Sequence, residues 1–117
     1  MGTDFLKPRA PLGDKIQCLS FTKDYFYKNN ISPEKSRILK VFTKFEDIPI
    51  QYMDQVHGNK LEKIFSHSSL PIDETDSLFS STSNLALGVL TADCLPIALS
   101  KNDGSEFAIL HAGWKGL

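Results

Sequence analysis

Short hydrophobic runs separated by polar turns recur along the chain, and most of these runs predict β-strands. Residues 16–21 predict one short strand, and residues 50–64 predict two strands joined by a turn at Gly58 and Asn59. Residues 83–100 contain two apolar β runs interrupted at 91–93, and residues 106–113 predict a further strand. The hydrophobic pattern therefore favours a sheet over most of the chain.

One segment has helical periodicity instead. Ser32 can cap free backbone amides and Pro33 suits the first helical turn, so we predict that a helix begins there. The apolar residues that follow share one helical face: Ile38, Val41, Phe42 and Phe45. The helix is predicted to end at Asp47 and Pro49, since proline disfavours helical geometry in the residue before it.

Composition and charge narrow the class of protein. Residues 1–15 are polar and are interpreted as a loose leader, which leaves residues 16–117 as the folded portion. The chain has 117 residues, 41% hydrophobic and 23% charged, which suits one small domain with a real core. A net charge of -1 gives no electrostatic basis for binding nucleic acid or an anionic membrane. With two cysteines, no disulfide framework and no signal peptide, we expect a cytoplasmic protein.

A predicted β-hairpin places a cysteine and a histidine on one face of the sheet. The Asn-Asp-Gly sequence at 102–104 is typical of a hairpin turn. A two-residue loop over its first two residues places Cys94 opposite His111. A loop over its last two residues places His111 opposite Pro96, on the face that carries Cys94. A three-residue loop would separate the two side chains, because it reverses their parity.

Three interpretations of this pair remain open. A buried cysteine can be a plain small hydrophobe and a strand histidine can simply be hydrogen-bonded. The imidazole of His111 can instead activate Cys94 as a thiolate nucleophile. With His57 as a third group, two imidazoles and one thiolate suit zinc with an open fourth position, and they also suit copper. Asp93 favours an open or polar site, since burying an unpaired carboxylate is costly.

Three long motifs resemble one family. QVHG at 55–58, TADCLPI at 91–97 and HAGWKG at 111–116 stand in the order and approximate spacing of the YfiH-like family. This family is also called the laccase-domain or multicopper polyphenol oxidase family, and its members are regarded as purine nucleoside phosphorylases. TDSLFS at 75–80 and SRILKVF at 36–42 resemble the family's acidic turn and its helix before the QVHG strand.

The resemblance implies an α/β fold, with a mixed β-sheet and flanking helices, and a zinc ion held by His57, Cys94 and His111. The implied partners are phosphate and purine nucleosides, namely adenosine, inosine, guanosine and 5′-methylthioadenosine. Adenosine deamination is an implied second activity, and oxidation of phenols with copper is an older label. The resemblance covers about residues 16–117, which correspond to the first half of a family domain. The fold is therefore expected to be incomplete. The resemblance implies the activity of a whole family domain, and it does not imply activity of this short chain alone.

Further site residues are expected around the third motif. Backbone amides from Gly113 to Gly116 at a helix start, with the charge of Lys115, suit a phosphate. The family usually has arginine at the position of Lys115, and lysine keeps the charge but loses the bidentate fork. Trp114 can stack on a purine or pack against the core. Asp93 can orient a zinc ligand, move protons or act as a turn carboxylate.

Two rival functions also follow from the sequence. The YfiH fold resembles that of certain deamidating bacterial toxins that use a cysteine and a histidine, so a thiol hydrolase or deamidase is one rival. A non-catalytic fragment or assembly partner is the other. The strands at 85–90 and 107–110 are apolar on both faces. We therefore expect an exposed apolar face there, or self-association or a second chain that covers it.

Overall fold

The computed structural model describes residues 48–113 continuously, together with residues 5–6, 16, 18–21 and 38–39. Within these residues the chain forms β-strands and no helix. The strands are β1 (Phe5–Leu6), β2 (Ser20–Phe21), β3 (Ile38–Leu39), β4 (Ile48–Gln51), β5 (Leu61–Ile64), β6 (Ser77–Ser80), β7 (Ala86–Leu87), β8 (Leu95–Ser100) and β9 (Phe107–Ala112). No helix among the described residues is long and apolar enough to cross a membrane.

The strands form three sheets that mix parallel and antiparallel pairs. Strands β1 and β2 pair antiparallel, so two residues of the predicted leader join a sheet. A second sheet has the order β3-β4-β7, and a third has the order β5-β6-β9-β8. Strand β4 runs parallel to β7 and β5 runs parallel to β6, whereas β9 is antiparallel to both of its neighbours. The prediction of a mixed β-sheet is confirmed.

Two local predictions are wrong in part. Ile38 and Leu39, predicted as helical, form β3 and pair with β4, because the pairing of strands overrides a local periodicity of 3.6. The rest of the predicted helix lies outside the described residues. Residues 50–64 contain two strand segments as predicted, the end of β4 and β5, and β5 pairs with β6 rather than with β4. The turn between these segments bends at His57 and Gly58.

The β8–β9 hairpin has one of the two predicted registers. Pro96 lies opposite His111, which places Cys94 just before the strand and on the same side of the sheet. The loop is longer than predicted, since the amide of Lys101 donates to the carbonyl of Glu106 at 2.9 Å and residues 102–105 lie beyond that bond. The loop still has an even number of residues, and for that reason the predicted parity is preserved.

The hydrophobic core lies against one face of the four-stranded sheet and extends toward the site. Its fully enclosed members are Met53, Ile64 and Leu78, and the partly buried residues packed against them are Ile72, Leu85, Leu87, Val89 and Ile109. Side chains alternate along a strand, so Ile109 and His111 share the inner face. His111 is therefore a polar group at the end of an apolar layer, and only 5% of it is exposed.

The apolar residues at 85–90 do not form an exposed face. Leu85, Leu87 and Val89 pack against the core, and residues 107–110 are half-buried, so the expectation of an exposed apolar face on these strands is wrong. Exposed leucines lie instead on the neighbouring strands β5 and β8: Leu61, Leu95 and Leu99. The predicted self-association, or a second chain that covers residues 85–90 and 107–110, stays a prediction.

Gly88 is required by the close approach of a tyrosine ring. A Cβ at position 88 would lie 2.6 and 2.8 Å from two ring carbons of Tyr52 and 2.9 Å from Cγ2 of Ile50. We expect Gly88→Ala to lower the free energy of unfolding by about 1–3 kcal/mol, because the overpacked strands must separate. Urea denaturation measures this loss. Gly58→Ala is the matched control, since its Cβ would meet neighbours only at 3.6 Å and beyond, and an equal loss there would contradict the packing argument.

Candidate metal centre

Three side chains from separate parts of the fold converge at one end of the four-stranded sheet. His57 lies at a bend before β5, Cys94 directly precedes β8, and His111 lies in β9. One ligand atom from each lies within 4.8 Å of the other two. His57 is exposed, Cys94 is half-buried and His111 is buried. The group therefore has one buried wall and one side open to solvent.

The loop that carries His57 is closed at both ends by backbone hydrogen bonds. The carbonyl of Asp54 accepts a hydrogen bond from the amide of Thr75 at 3.0 Å. The carbonyl of Lys60 accepts from the amides of Asp76 and Ser77 at 3.2 and 3.1 Å. Residues 54–60 thus form a loop fixed against the start of β6.

Asp76 fills the centre of this loop. Its Oδ1 accepts hydrogen bonds from the amides of Val56 and Gly58 at 3.1 and 3.0 Å, and its Oδ2 accepts from the amide of His57 at 3.0 Å. These three consecutive amides point to one carboxylate because His57 has a φ of 61°, in the left-handed region. Histidine tolerates this region better than most residues, although at some cost in strain.

The same carboxylate also holds the buried histidine. Oδ2 of Asp76 lies 2.7 Å from Nδ1 of His111, and the amide of His111 donates to the carbonyl of Asp76 at 2.8 Å. Asp76 therefore hydrogen-bonds to both the backbone and the ring of His111. The rings of His57 and His111 meet edge to face, with centroids 5.1 Å apart and an interplanar angle of 70°.

Asp76 carries a negative charge although only 1% of it is exposed. Burial by itself raises the pKa of this carboxyl, but the hydrogen bond from His111 and those from the three amides outweigh burial and lower the pKa below its usual value. An ionised carboxylate accepts hydrogen bonds only, so Nδ1 of His111 is the protonated nitrogen. In the neutral imidazole this leaves the lone pair on Nε2, and that tautomer is the form in which histidine binds a metal through Nε2.

The other predicted site residues are placed as follows. Gly113 is buried, and a Cβ there would lie 3.4 Å from Sγ of Cys94 and 3.5 Å from Cδ2 of His57, so the backbone passes directly beside the ligand group. Asp93 is exposed, and the carboxylate that contacts a proposed ligand histidine is that of Asp76. The role of Asp93 stays a prediction. The remaining predictions lie outside the described residues: Trp114, Lys115 and Gly116.

Sequence reasoning missed the role of Asp76. Its signal was an acidic residue directly before a strand, within the TDSLFS sequence at 75–80. The same pattern is typical of an exposed turn, and only the pairing of β6 with β9 brings Asp76 to His111. The remaining histidine and cysteine are not members of the metal-ligand group. His67 is exposed, and Cys18 is half-buried, with a thiol pKa raised by burial.

The residues present fit a metal ion. Two imidazoles and a thiolate are the donors that zinc prefers, and three protein ligands with one open side are typical of a catalytic site. Donor atoms around a tetrahedral ion with bonds of about 2.0–2.3 Å are separated by roughly 3.5 Å. The observed span of up to 4.8 Å is close to this spacing and needs only small side-chain movements.

Comparisons with known proteins agree on the fold and on one family. Residues 28–117 match the family model described as multi-copper polyphenol oxidoreductase laccase. Purine nucleoside phosphorylase RC0672 of Rickettsia conorii is 35% identical over 97 residues, which are 79% of this chain and 39% of the relative. Purine nucleoside phosphorylase YfiH of Shigella flexneri is 36% identical over 66 residues, which are 56% of this chain and 27% of the relative.

A solved structure supports the same fold. The crystal structure of the hypothetical protein YfiH of Bacillus licheniformis superposes with a TM-score of 0.53 and 29% identity. The superposition covers 57% of this chain and 28% of that chain. The present chain therefore spans less than half the length of the relatives that it matches.

Proposed function

Because the chain belongs to the multi-copper polyphenol oxidoreductase laccase family, we propose that its site holds zinc and serves the phosphorolysis of purine nucleosides. The proposed ligands are His57, Cys94 and His111. The relatives named purine nucleoside phosphorylase support the reaction, and the ligand chemistry of this chain supports the metal.

The observation that carries the proposal is the contact of Asp76 with His111. A carboxylate that accepts the Nδ1 proton fixes the tautomer and the orientation of a metal-ligating histidine. Asp76 also holds the His57 loop through its amides, so one residue positions two of the three ligands. A merely structural histidine would need neither a thiol nor a second imidazole beside its ring.

Zinc is favoured over multi-copper chemistry by the donors available. The chain has three histidines and two cysteines, and the proposed site uses all of them except His67 and Cys18. The donors of this chain that remain, one imidazole and one thiol, are too few for a second copper site of the usual His-rich kind within these residues. A single ion bound by a thiolate and two imidazoles, with an open position, is what zinc enzymes use.

In phosphorolysis a phosphate oxygen forms a bond to C1′ of the ribose while the bond from C1′ to the purine nitrogen breaks. The base leaves with the electron pair and takes up a proton. Zinc, when bound, supplies a Lewis acid at the open side of the site. Asp76 keeps the imidazole of His111 oriented and its Nδ1 protonated throughout, and the buried wall formed by His111 limits access of water from the core side.

The substrate contacts are proposed from the third motif. The backbone at Gly113 passes beside Cys94, which supports a proposed phosphate site that uses the backbone from Gly113 to Gly116 and the charge of Lys115. Trp114 is proposed to stack on the purine. The proposed substrates are adenosine, inosine, guanosine and 5′-methylthioadenosine. In adenosine deamination, water would replace the amino group at C6, and the exposed carboxylate of Asp93 is proposed to transfer protons.

A second candidate function rests on the same contacts. Cys94, His111 and Asp76 also have the order of a nucleophile, a base and a residue that orients the base. In that case the imidazole would take the proton of the thiol, the thiolate would attack a carbonyl carbon, and His57 would not be a ligand. A thiol hydrolase or deamidase is therefore the rival to be tested.

Metal removal separates the two functions. We expect the purified protein to contain about one zinc ion per chain. A chelator should abolish the release of hypoxanthine from inosine and phosphate, and added zinc should restore it. Elemental analysis and the hypoxanthine assay on the same samples measure both quantities. Hypoxanthine release that persists in the metal-free protein would contradict the zinc proposal. Amide hydrolysis that persists without metal and ends on treatment with iodoacetamide would favour the thiol enzyme.

A further inference from the structure

A glutamine side chain joins the two loops that carry His57 and Cys94. Nε2 of Gln55 donates to the carbonyl of Leu90 at 2.7 Å, and the amide of Leu90 donates to Oε1 of Gln55 at 2.9 Å. The carboxamide therefore pairs with both backbone groups of one residue, as a neighbouring strand would. Both residues are half-buried.

This pair lies close in sequence to two of the proposed ligands. Gln55 precedes His57 by two residues, within the loop closed around Asp76. Leu90 precedes Cys94 by four residues, and the residues between them, 91–93, are exposed. The hydrogen bonds of Gln55 thus connect the histidine loop to the turn that ends at the cysteine.

The turn at residues 91–93, which ends at Cys94, is held differently at its two ends. After Cys94 the ladder of β8 and β9 begins at once, with Leu95 opposite Ala112. Before the turn, the amide of Gly88 donates to the carbonyl of Gln51 at 2.9 Å, six residues ahead of Cys94. The hydrogen bonds of Leu90 to Gln55 hold the chain at a point between Gly88 and Cys94, and Gln55 lies in the loop that also carries His57.

We propose that Gln55 is a positioning residue of the metal site, which sets the separation of Cys94 from the two histidines. The inference rests on the proposed function, because it concerns the geometry of the proposed ligands. Gln55 does not reach the ion itself. It acts by holding Leu90, which fixes residues 91–93 and the thiolate of Cys94 before the metal binds. Metal binding then does not have to order this turn.

The test compares two glutamines whose side chains make similar contacts. Gln55→Met keeps the length of the side chain and removes both hydrogen bonds to Leu90. Gln51→Met is the matched control, since the carboxamide of Gln51 bonds to the backbone of the adjacent Tyr52 and to that of Ser68 and Leu70, in a loop that carries no proposed ligand. Gln55→Glu keeps an acceptor for the amide of Leu90, but it loses the donor and adds a negative charge near the carbonyl of Leu90.

The measurements are the affinity for Zn²⁺, from competition with a chromophoric chelator, and the thiolate-to-metal absorption band of the Co²⁺-loaded protein. We expect Gln55→Met to lower zinc affinity about tenfold and to weaken the band per bound cobalt, because Cys94 is displaced. Gln55→Glu should lie between Gln55→Met and the unchanged protein, and Gln51→Met should match the unchanged protein. Circular dichroism establishes that each variant is folded, and Gln55→Glu carries the comparison if Gln55→Met does not fold.

The outcomes separate this inference from the proposal on which it rests. Equal affinity and equal absorption in Gln55→Met and the unchanged protein would overturn the positioning role and leave the zinc site standing. An equal loss in Gln51→Met and Gln55→Met would also overturn it, since the loss would then reflect general destabilisation. If the unchanged protein binds neither Zn²⁺ nor Co²⁺, the zinc site and the positioning role both fail.

Discussion

In an active form of the protein, alone or assembled with a second chain, replacing Cys94 with serine will remove zinc binding and nucleoside phosphorolysis together. A serine hydroxyl is a poor zinc ligand near neutral pH, because its pKa lies far above that of a thiol. His111→Gln should have the same effect, since an amide replaces the free imidazole nitrogen that Asp76 orients. We expect each change to lower zinc affinity at least about 100-fold, more than the loss of a residue that only supports a ligand. Zinc content and hypoxanthine release are measured on the same preparations.

The matched controls repeat each chemical change outside the ligand group. Cys18→Ser and His67→Gln alter the remaining thiol and imidazole, and both should keep zinc content and activity. Normal zinc content in Cys94→Ser and His111→Gln would end the claim of a metal site, whatever happens to activity. Loss of activity without a change in metal would favour the thiol enzyme. A change in stability of about 1 kcal/mol with activity intact would show that both residues are only structural.

The placement of Cys94 and His111 on one face of the sheet could be predicted because it depends on parity. Side chains alternate along a strand, so any hairpin loop with an even number of residues keeps the two on one face. The loop at 102–105 is longer than predicted, yet the predicted register with Pro96 opposite His111 is observed. Local turn chemistry was therefore enough to place two of the three proposed ligands.

The position of His57 could not be derived from local patterns. It lies 37 residues before Cys94, and it reaches the site because β5 pairs parallel with β6. A parallel pair is formed by segments distant in sequence, and nothing in the periodicity of either strand specifies its partner. The QVHG motif supplied this ligand through resemblance to a family, and the observed convergence supplies the physical reason for it.

The helix predicted over Ile38 and Leu39 shows that local signals can also predict the wrong element. Apolar spacing and a capping serine are local signals, whereas the pairing of β3 with β4 is a tertiary interaction that the same residues can also satisfy. The left-handed backbone conformation of His57 could not be predicted from the sequence either. Gly58 was the residue expected to permit a sharp turn, yet the positive φ belongs to the histidine, which the amide contacts of Asp76 stabilise.

Asp76→Asn should weaken the metal site and the fold together. The carboxylate accepts four hydrogen bonds, two at each oxygen: from the amides of Val56 and Gly58 at Oδ1, and from the amide of His57 and Nδ1 of His111 at Oδ2. An asparagine offers one oxygen, so its NH₂ group must face one pair of donors whichever way the amide turns. Either the His57 loop or the ring of His111 then loses its acceptor.

We expect Asp76→Asn to lower zinc affinity about 10–100-fold, because a ligand loses its orienting partner. The free energy of unfolding of the metal-free protein should fall by about 2–4 kcal/mol, since buried donors are left without acceptors. Chelator competition and urea denaturation measure the two effects. Asp93→Asn is the matched control: this carboxylate is exposed beside Cys94, so the change should leave zinc affinity intact and alter only turnover. If Asp93→Asn lost zinc as strongly as Asp76→Asn, the role of orienting the ligands would belong to Asp93.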